Sequence, residues 1–193
     1  MPNWCYTDYV IEGEKKEIDA LEKMMNELSA MEKPYVENGF GNNWLECIVE
    51  KLGGDWQKIR CRGDWNELRK EGDTLRFNTE TAWDSCNGVL NLICEHFPSL
   101  SYFFIAEEPN GELYKTNDTD GKYFPERYYI DLCTLAGAYD GDYFTEIEDV
   151  YKWLNNRFGV NVKSVEDIEC LDDKWRSIND DAYVNLHEYT VII

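Results

Sequence analysis

Basic side chains are scarce in this chain: 19 Lys and Arg stand against 39 Asp and Glu, a formal net charge of −20 over 193 residues. Binding to phosphate needs clustered cations. Here the bases are interleaved with acids, as in Arg60-Cys61-Arg62-Gly63-Asp64, so no direct contact with nucleic acid is expected. Long apolar runs are lacking too. No stretch approaches the run of about 18 apolar residues that a membrane span needs, and the opening Met1-Pro2-Asn3-Trp4-Cys5 has no basic region followed by an apolar one. Neither membrane insertion nor secretion is expected. Histidine is limited to His96 and His187, which leaves few bases that titrate near neutral pH.

The seven cysteines are odd in number, scattered through apolar stretches and free of any Cys-x-x-Cys pair. They read as reduced thiols in a cytoplasmic protein rather than as a disulfide framework. Zinc is not expected, because Cys94 and His96 lie two apart at a helix end and do not share a face. The run from Thr116 to Arg127 carries Asp118, Asp120 and Gly121 at EF-hand positions, but Thr116 and Arg127 occupy the first and last ligand positions. It is read as a solvated turn. Gly39-Phe40-Gly41 lacks the third glycine of a phosphate-cradling loop. No cofactor, no metal and no catalytic residue is assigned. A Cys–His hydrolase lacks support, and a structural role is expected for His187 in an alternating terminal strand.

What is present is 43% apolar content, enough to bury a core in one domain. Alternation marks strands at Trp4 to Ile11, Thr74 to Ala82 and Leu100 to Glu107, with Pro109-Asn110-Gly111 turning the last into a fourth at Glu112 to Thr116. A run at Tyr128 to Leu132 predicts a fifth strand beside the fourth. Apolar residues at helical spacing predict helices over Glu14 to Lys33, Asn43 to Leu52 and from Asp84 or Ser85, as the cap, to His96. A fourth helix is expected behind a capping box at Thr145 and Glu148, and a fifth opening at Ser164 with Val165, Ile168 and Leu171 inward. Residues 55–72 read as loop.

The expected fold class is α+β: a ferredoxin-like split β-α-β sandwich, residues 1–135, with a helical insertion at about 40–72. A C-terminal α/β extension, 142–193, completes the single domain. The opening Met1-Pro2-Asn3-Trp4-Cys5, the strand ending at Gly13, the block Asn43-Trp44 through Gly53-Gly54-Asp55-Trp56, and Thr81-Ala82-Trp83 resemble the YubB-type (Api-like) ferredoxin-like family. Phe97-Pro98-Ser99-Leu100 leading to Glu107-Glu108-Pro109 fits the same pattern, so the resemblance covers about residues 1–116. It implies a protein related to phages, plasmids and gut bacteria, and brings no established activity. The chain departs from the family at Asp55, where a lysine is usual, and at Trp83-Asp84-Ser85-Cys86, where Trp-Ser-Pro-Pro is usual.

Function is therefore expected from surface chemistry. The acidic charge predicts a non-enzymatic interaction module for a basic or nucleic-acid-binding host protein; its sharper form is an acidic DNA mimic with carboxylates along one elongated face. The alternative is a small-ligand or enzymatic pocket lined by tryptophans and acids. Trp44, Trp56, Trp83, Glu107 and Glu108 are the candidate interaction or pocket residues. Oligomeric state is left open by the sequence.

Overall fold

The computed structural model describes residues 3–192. It is a mixed α+β protein, and among the described residues no helix is long and apolar enough to cross a membrane. Its contacts divide it into two compact units, one ending at Asn117 and one beginning at Asp118. The boundary thus falls earlier than the gap at residues 135–142 suggested by the sequence pattern.

In the N-terminal unit β1 (Trp4–Glu12) is followed by α1 (Lys15–Ser29), α2 (Leu45–Lys51), β2 (Gly63–Glu71), β3 (Thr74–Ala82), α3 (Asn87–His96), β4 (Ser101–Glu108) and β5 (Leu113–Thr116). The strands of this unit lie in the order β2-β3-β1-β4-β5, every neighbouring pair antiparallel. Alternation sorts β1 into two faces. Cys5, Thr7, Tyr9 and Ile11 are buried, whereas Trp4, Tyr6 and Asp8 are exposed. The helices cover the buried face, as two cross-element bonds show. Tyr9 donates to Asn87 at the start of α3 (2.8 Å), and Lys70 of β2, which faces Leu75, pairs with Asp19 of α1. Ile18, Leu21, Met25 and Leu28 of α1 and Val89, Leu90 and Ile93 of α3 pack there out of water. Full burial of each such side chain is worth roughly 1.5–3 kcal/mol.

Three expectations need correction here. Residues 40–72 are not a helical insertion: only Leu45–Lys51 is helical, and Gly63–Glu71 is an edge strand hairpinned to β3 through Gly72-Asp73. Gly72 has φ +62, the conformation that a type II′ turn reserves for glycine at its first central position. The first helix stops at Ser29, short of Pro34. The third begins at Asn87 with Cys86 at the N-cap and no side-chain cap bond, so neither Asp84 nor Ser85 caps it. Lys115 holds Asp84 in an ion pair instead.

The C-terminal unit is built from β6 (Tyr128–Cys133), β7 (Tyr139–Phe144), α4 (Ile147–Phe158), α5 (Val165–Ile178) and β8 (Tyr183–Glu188). Its sheet has the order β7-β6-β8, again antiparallel. The expected fifth strand therefore exists, but it centres a separate sheet and does not lie beside β5. Ile130, Leu132 and Val184 form this unit's core with Val150, Leu154, Ile168, Leu171 and Trp175 of the two helices. The capping box does not form: α4 starts after Glu146, with no side-chain cap bond. Ser164 does cap α5, accepting from the Asp167 N–H at 3.3 Å, although Val165 points to solvent.

The expected solvated turn at 116–127 is also corrected. Asp118 is buried, and its carboxylate accepts the backbone N–H groups of Lys122 (3.0 Å), Tyr123 (2.6 Å) and Phe124 (2.8 Å). Arg127 closes the loop from the other side, donating to the carbonyls of Asp118 (2.6 Å) and Phe124 (2.8 Å). Burial alone would raise the Asp118 carboxyl, but the three N–H groups and the Arg127 charge outweigh it and hold the group below its ordinary value.

Candidate functional site

The uncovered face of the N-terminal sheet carries an open concavity of about 740 Å³ lined by Tyr6, Asp8, Asp64, Asn66, Glu67, Asn78 and Glu80, with Thr7 and Thr79 in its floor. Register builds it. Tyr6 stands opposite Glu80, which stands opposite Asp64; one step along, Asp8 stands opposite Asn78, which stands opposite Asn66. Two ranks of polar side chains from three strands therefore share one face.

Two features set this face apart from a merely solvated one. Asp64 and Glu80 are like charges placed directly across a strand pair, an arrangement that destabilises a sheet. The second feature is a bulge. Pairing of β2 with β3 shifts between Asn66 and Arg69, and Glu67 within the shift has φ +53. A non-glycine residue there costs of order 1 kcal/mol or more and is concentrated at functional positions. The bulge also puts Leu68 and Lys70 back on the helix side, so that the edge strand can pair with α1 while Asp64 and Asn66 face outward.

The charge balance within the concavity is one-sided. Arg69 pairs with Glu71 (2.9 Å) and Glu67 (3.7 Å), and Arg76 pairs with Glu71 (2.8 Å), so the local cations are spent at one end. Asp8, Asp64 and Glu80 have no ion-pair partner among the described residues. Loss of water around Asp8 raises its carboxyl above the ordinary value; Arg69 and Arg76 oppose that rise and Glu67 adds to it.

The five residues singled out in the sequence do not line this concavity. Trp44 is buried at the N-cap of α2 and stacks on Phe40, centroids 4.2 Å apart. Trp56 is half-buried, and Trp83 is 52% exposed with φ +73 immediately after β3. Glu108 is buried and accepts the Asn110 N–H (3.0 Å), which shapes the turn into β5. Glu107 is the one that borders the site, because it lies across from Tyr6 on the open face. Sequence reading missed Asp8, Asp64, Glu67 and Glu80. Strand alternation marks Asp8 and Glu80 as outward-facing, but only cross-strand register joins them.

Among the described residues no cysteine beside these acids has the lowered pKa of an activated nucleophile. All seven cysteines are free, and burial pushes the Cys61 thiol up to about 12 and Cys86 up to about 11. Such thiols stay protonated and inert at neutral pH. A thiol reagent added to the folded protein is expected to modify Cys170, the exposed one, rapidly and the buried five only after denaturant. Rapid loss of several thiols without denaturant would contradict this burial. His187 bonds Asp131 (2.6 Å) and stacks on Tyr129, with ring centroids 5.8 Å apart. Among the described residues no three His, Cys, Asp or Glu side chains converge as metal ligands.

Comparison with known proteins adds no relative: no family profile, no curated protein and no solved structure matches the chain.

Proposed function

We propose that this chain is a non-enzymatic cytoplasmic interaction protein whose N-terminal unit binds a cationic segment of a partner protein on its open sheet face. One observation carries the reading: Asp8, Asp64 and Glu80 converge on one concavity, and among the described residues none of them forms an ion pair. Lys or Arg side chains entering it would relieve the Asp64–Glu80 repulsion across the strands, and the Tyr6 ring offers a cation a face to sit on. The DNA-mimic form has less support. Carboxylates occur on both sides of the N-terminal sheet, with Asp19 and Glu22 on α1, and again along α4 and α5 at Glu148, Asp149, Glu166 and Asp167. That distribution does not favour one elongated acidic face.

The finer fold reading belongs to the same proposal. β1 and β2 run in the same direction with β3 antiparallel between them, and β4 borders β1 on its other side. This order supports a ferredoxin-like split β-α-β core, the fold that the YubB-type resemblance implies; a mobile-element origin rests on that resemblance alone. The second reading, a small-molecule site, draws its support from the raised Asp8 carboxyl, and its natural ligand class would be a polyamine rather than a tryptophan-stacked ring.

The test is fluorescence anisotropy with a labelled Lys/Arg-rich peptide. Asp8→Asn, Asp64→Asn and Glu80→Gln combined are expected to weaken binding about tenfold or more, whereas a triple charge change at Glu169, Asp180 and Asp181 leaves it nearly unchanged. Affinity should also fall on acidification, starting at a higher pH than an ordinary aspartate would give, because the cation prefers ionised Asp8. Equal losses in both triple variants would reduce the effect to net charge and sink the site. Spermine outcompeting the peptide at equal charge concentration would favour the small-molecule reading.

A further inference from the structure

The C-terminal sheet ends in an unusual edge. Among the described residues β7 pairs with β6 alone, and its first five residues read Tyr139-Asp140-Gly141-Asp142-Tyr143, the same in both directions. The bond from the Thr134 N–H to the Ala138 carbonyl, 2.9 Å, sets the phase of the ladder. Asp140 and Asp142 turn their backbone groups toward β6, whereas Tyr139, Gly141 and Tyr143 turn theirs outward. A row of outward donors and acceptors is a template for another strand.

Two of the three outward donors are occupied by the strand itself. The Gly141 N–H is bonded by the Asp140 carboxylate at 3.0 Å, and the Tyr143 N–H by that of Asp142 at 2.9 Å. The palindrome adds a second barrier. An antiparallel pairing of two copies centred on Gly141 would match Tyr139 with the other copy's Tyr143 and close a full set of backbone bonds. It would also set Asp140 against the other copy's Asp142, twice, in the non-hydrogen-bonded positions where side chains come closest.

We infer that Asp140 and Asp142 are guards on this edge: they hold the outward N–H groups of β7 and oppose each other across the self-complementary pairing, so that a second copy of this chain is kept from adding to the sheet. The occupant is a second copy of this chain, because a palindromic segment pairs antiparallel with itself in register, Tyr139 against Tyr143 around Gly141. Tyr139 is 80% exposed and free to enter such a pairing. Arg157 pairs with Asp140 and offsets part of its charge without bonding the outward backbone.

The experiment is sedimentation velocity on the full chain over a wide concentration range, with circular dichroism to establish that each variant is folded. Asp140→Asn with Asp142→Asn removes the opposed charges and leaves weaker acceptors. Its self-association is expected to tighten about tenfold or more over the natural chain. Tyr139→Pro on that background deletes one outward N–H at a position where an edge strand tolerates proline, and should return the variant to monomer. Asp180→Asn with Asp181→Asn changes net charge equally and should not associate. A double Asn variant that is folded yet as monomeric as the natural chain overturns the inference. So does equal association of the Asp180/Asp181 variant, or a dimer that Tyr139→Pro leaves intact.

Discussion

Asp118→Ala is expected to destabilise the C-terminal unit by about 3 kcal/mol, because three backbone donors, that of Phe124 buried and those of Lys122 and Tyr123 partly so, lose their buried acceptor together and each unsatisfied buried group costs about 1–3 kcal/mol. Native-state hydrogen exchange at Ile130 and Leu132, in the buried centre of β6, reads this directly. Protection there should fall by roughly a hundredfold, and unchanged protection would show that the loop is not coupled to the sheet. Acid gives the same answer more gently. The Asp118 carboxyl lies below its ordinary value of 3.8 in the folded state. Its contribution is therefore complete above the unfolded value and is lost as pH falls below it through the folded one. Asp118→Asn removes that pH dependence as well as the stability, so variant and natural protein should converge at strongly acidic pH.

Gly63→Ala is expected to cost a similar amount in the N-terminal unit and to abolish peptide binding. A Cβ on Gly63 would stand 2.2 Å from the Glu80 carbonyl oxygen and 2.7 Å from the Thr81 Cα, both backbone atoms of β3. Neither can move without parting β2 from β3, and overpacking of this kind costs about 1–3 kcal/mol or more. Asp64, Asn66 and Glu67 all reach the concavity from β2, so three of its nine lining residues would shift with the strand. Gly72→Asn is the matching control. A Cβ there meets nothing within 4 Å, and asparagine tolerates the left-handed conformation of the turn. A folded, peptide-binding Gly63→Ala protein would show that the close β2–β3 approach does not define the site.

These expectations rest on elements that were unequally legible in the sequence. β1, β3, β4 and the turn at Pro109-Asn110-Gly111 were readable because alternation and turn chemistry are local properties. β2 was not, since the bulge at Glu67 resets the alternation between Trp65 and Leu68 and leaves no continuous period to detect. The Gly72-Asp73 pair was the available hint, being a two-residue hairpin signal. β7 escaped for another reason: aspartate and glycine are poor strand formers, and the segment is a strand only because β6 holds it. With 39 acids in the chain, composition could not choose among them. Asp8, Asp64 and Glu80 lie far apart in sequence and become neighbours through the register of three strands. Glu107 and Glu108 adjoin in the sequence, yet adjacent residues of a strand point to opposite faces.

The central position of β1 also shapes how the protein is made. Its partners are β3 and β4, so β1 must wait until residue 108 has been added before both its edges are filled. At ordinary elongation rates that wait is on the order of 5 to 20 seconds. Until β3 is made, Cys5 to Ile11, an aromatic and β-branched segment, is exposed on the nascent chain with both backbone edges unpaired, and until β4 follows one edge stays open. The hairpin of β2 and β3 emerges from the ribosome as a ready half-sheet onto which β1 can dock, and until it does a chaperone would have a continuous β-prone ligand to hold.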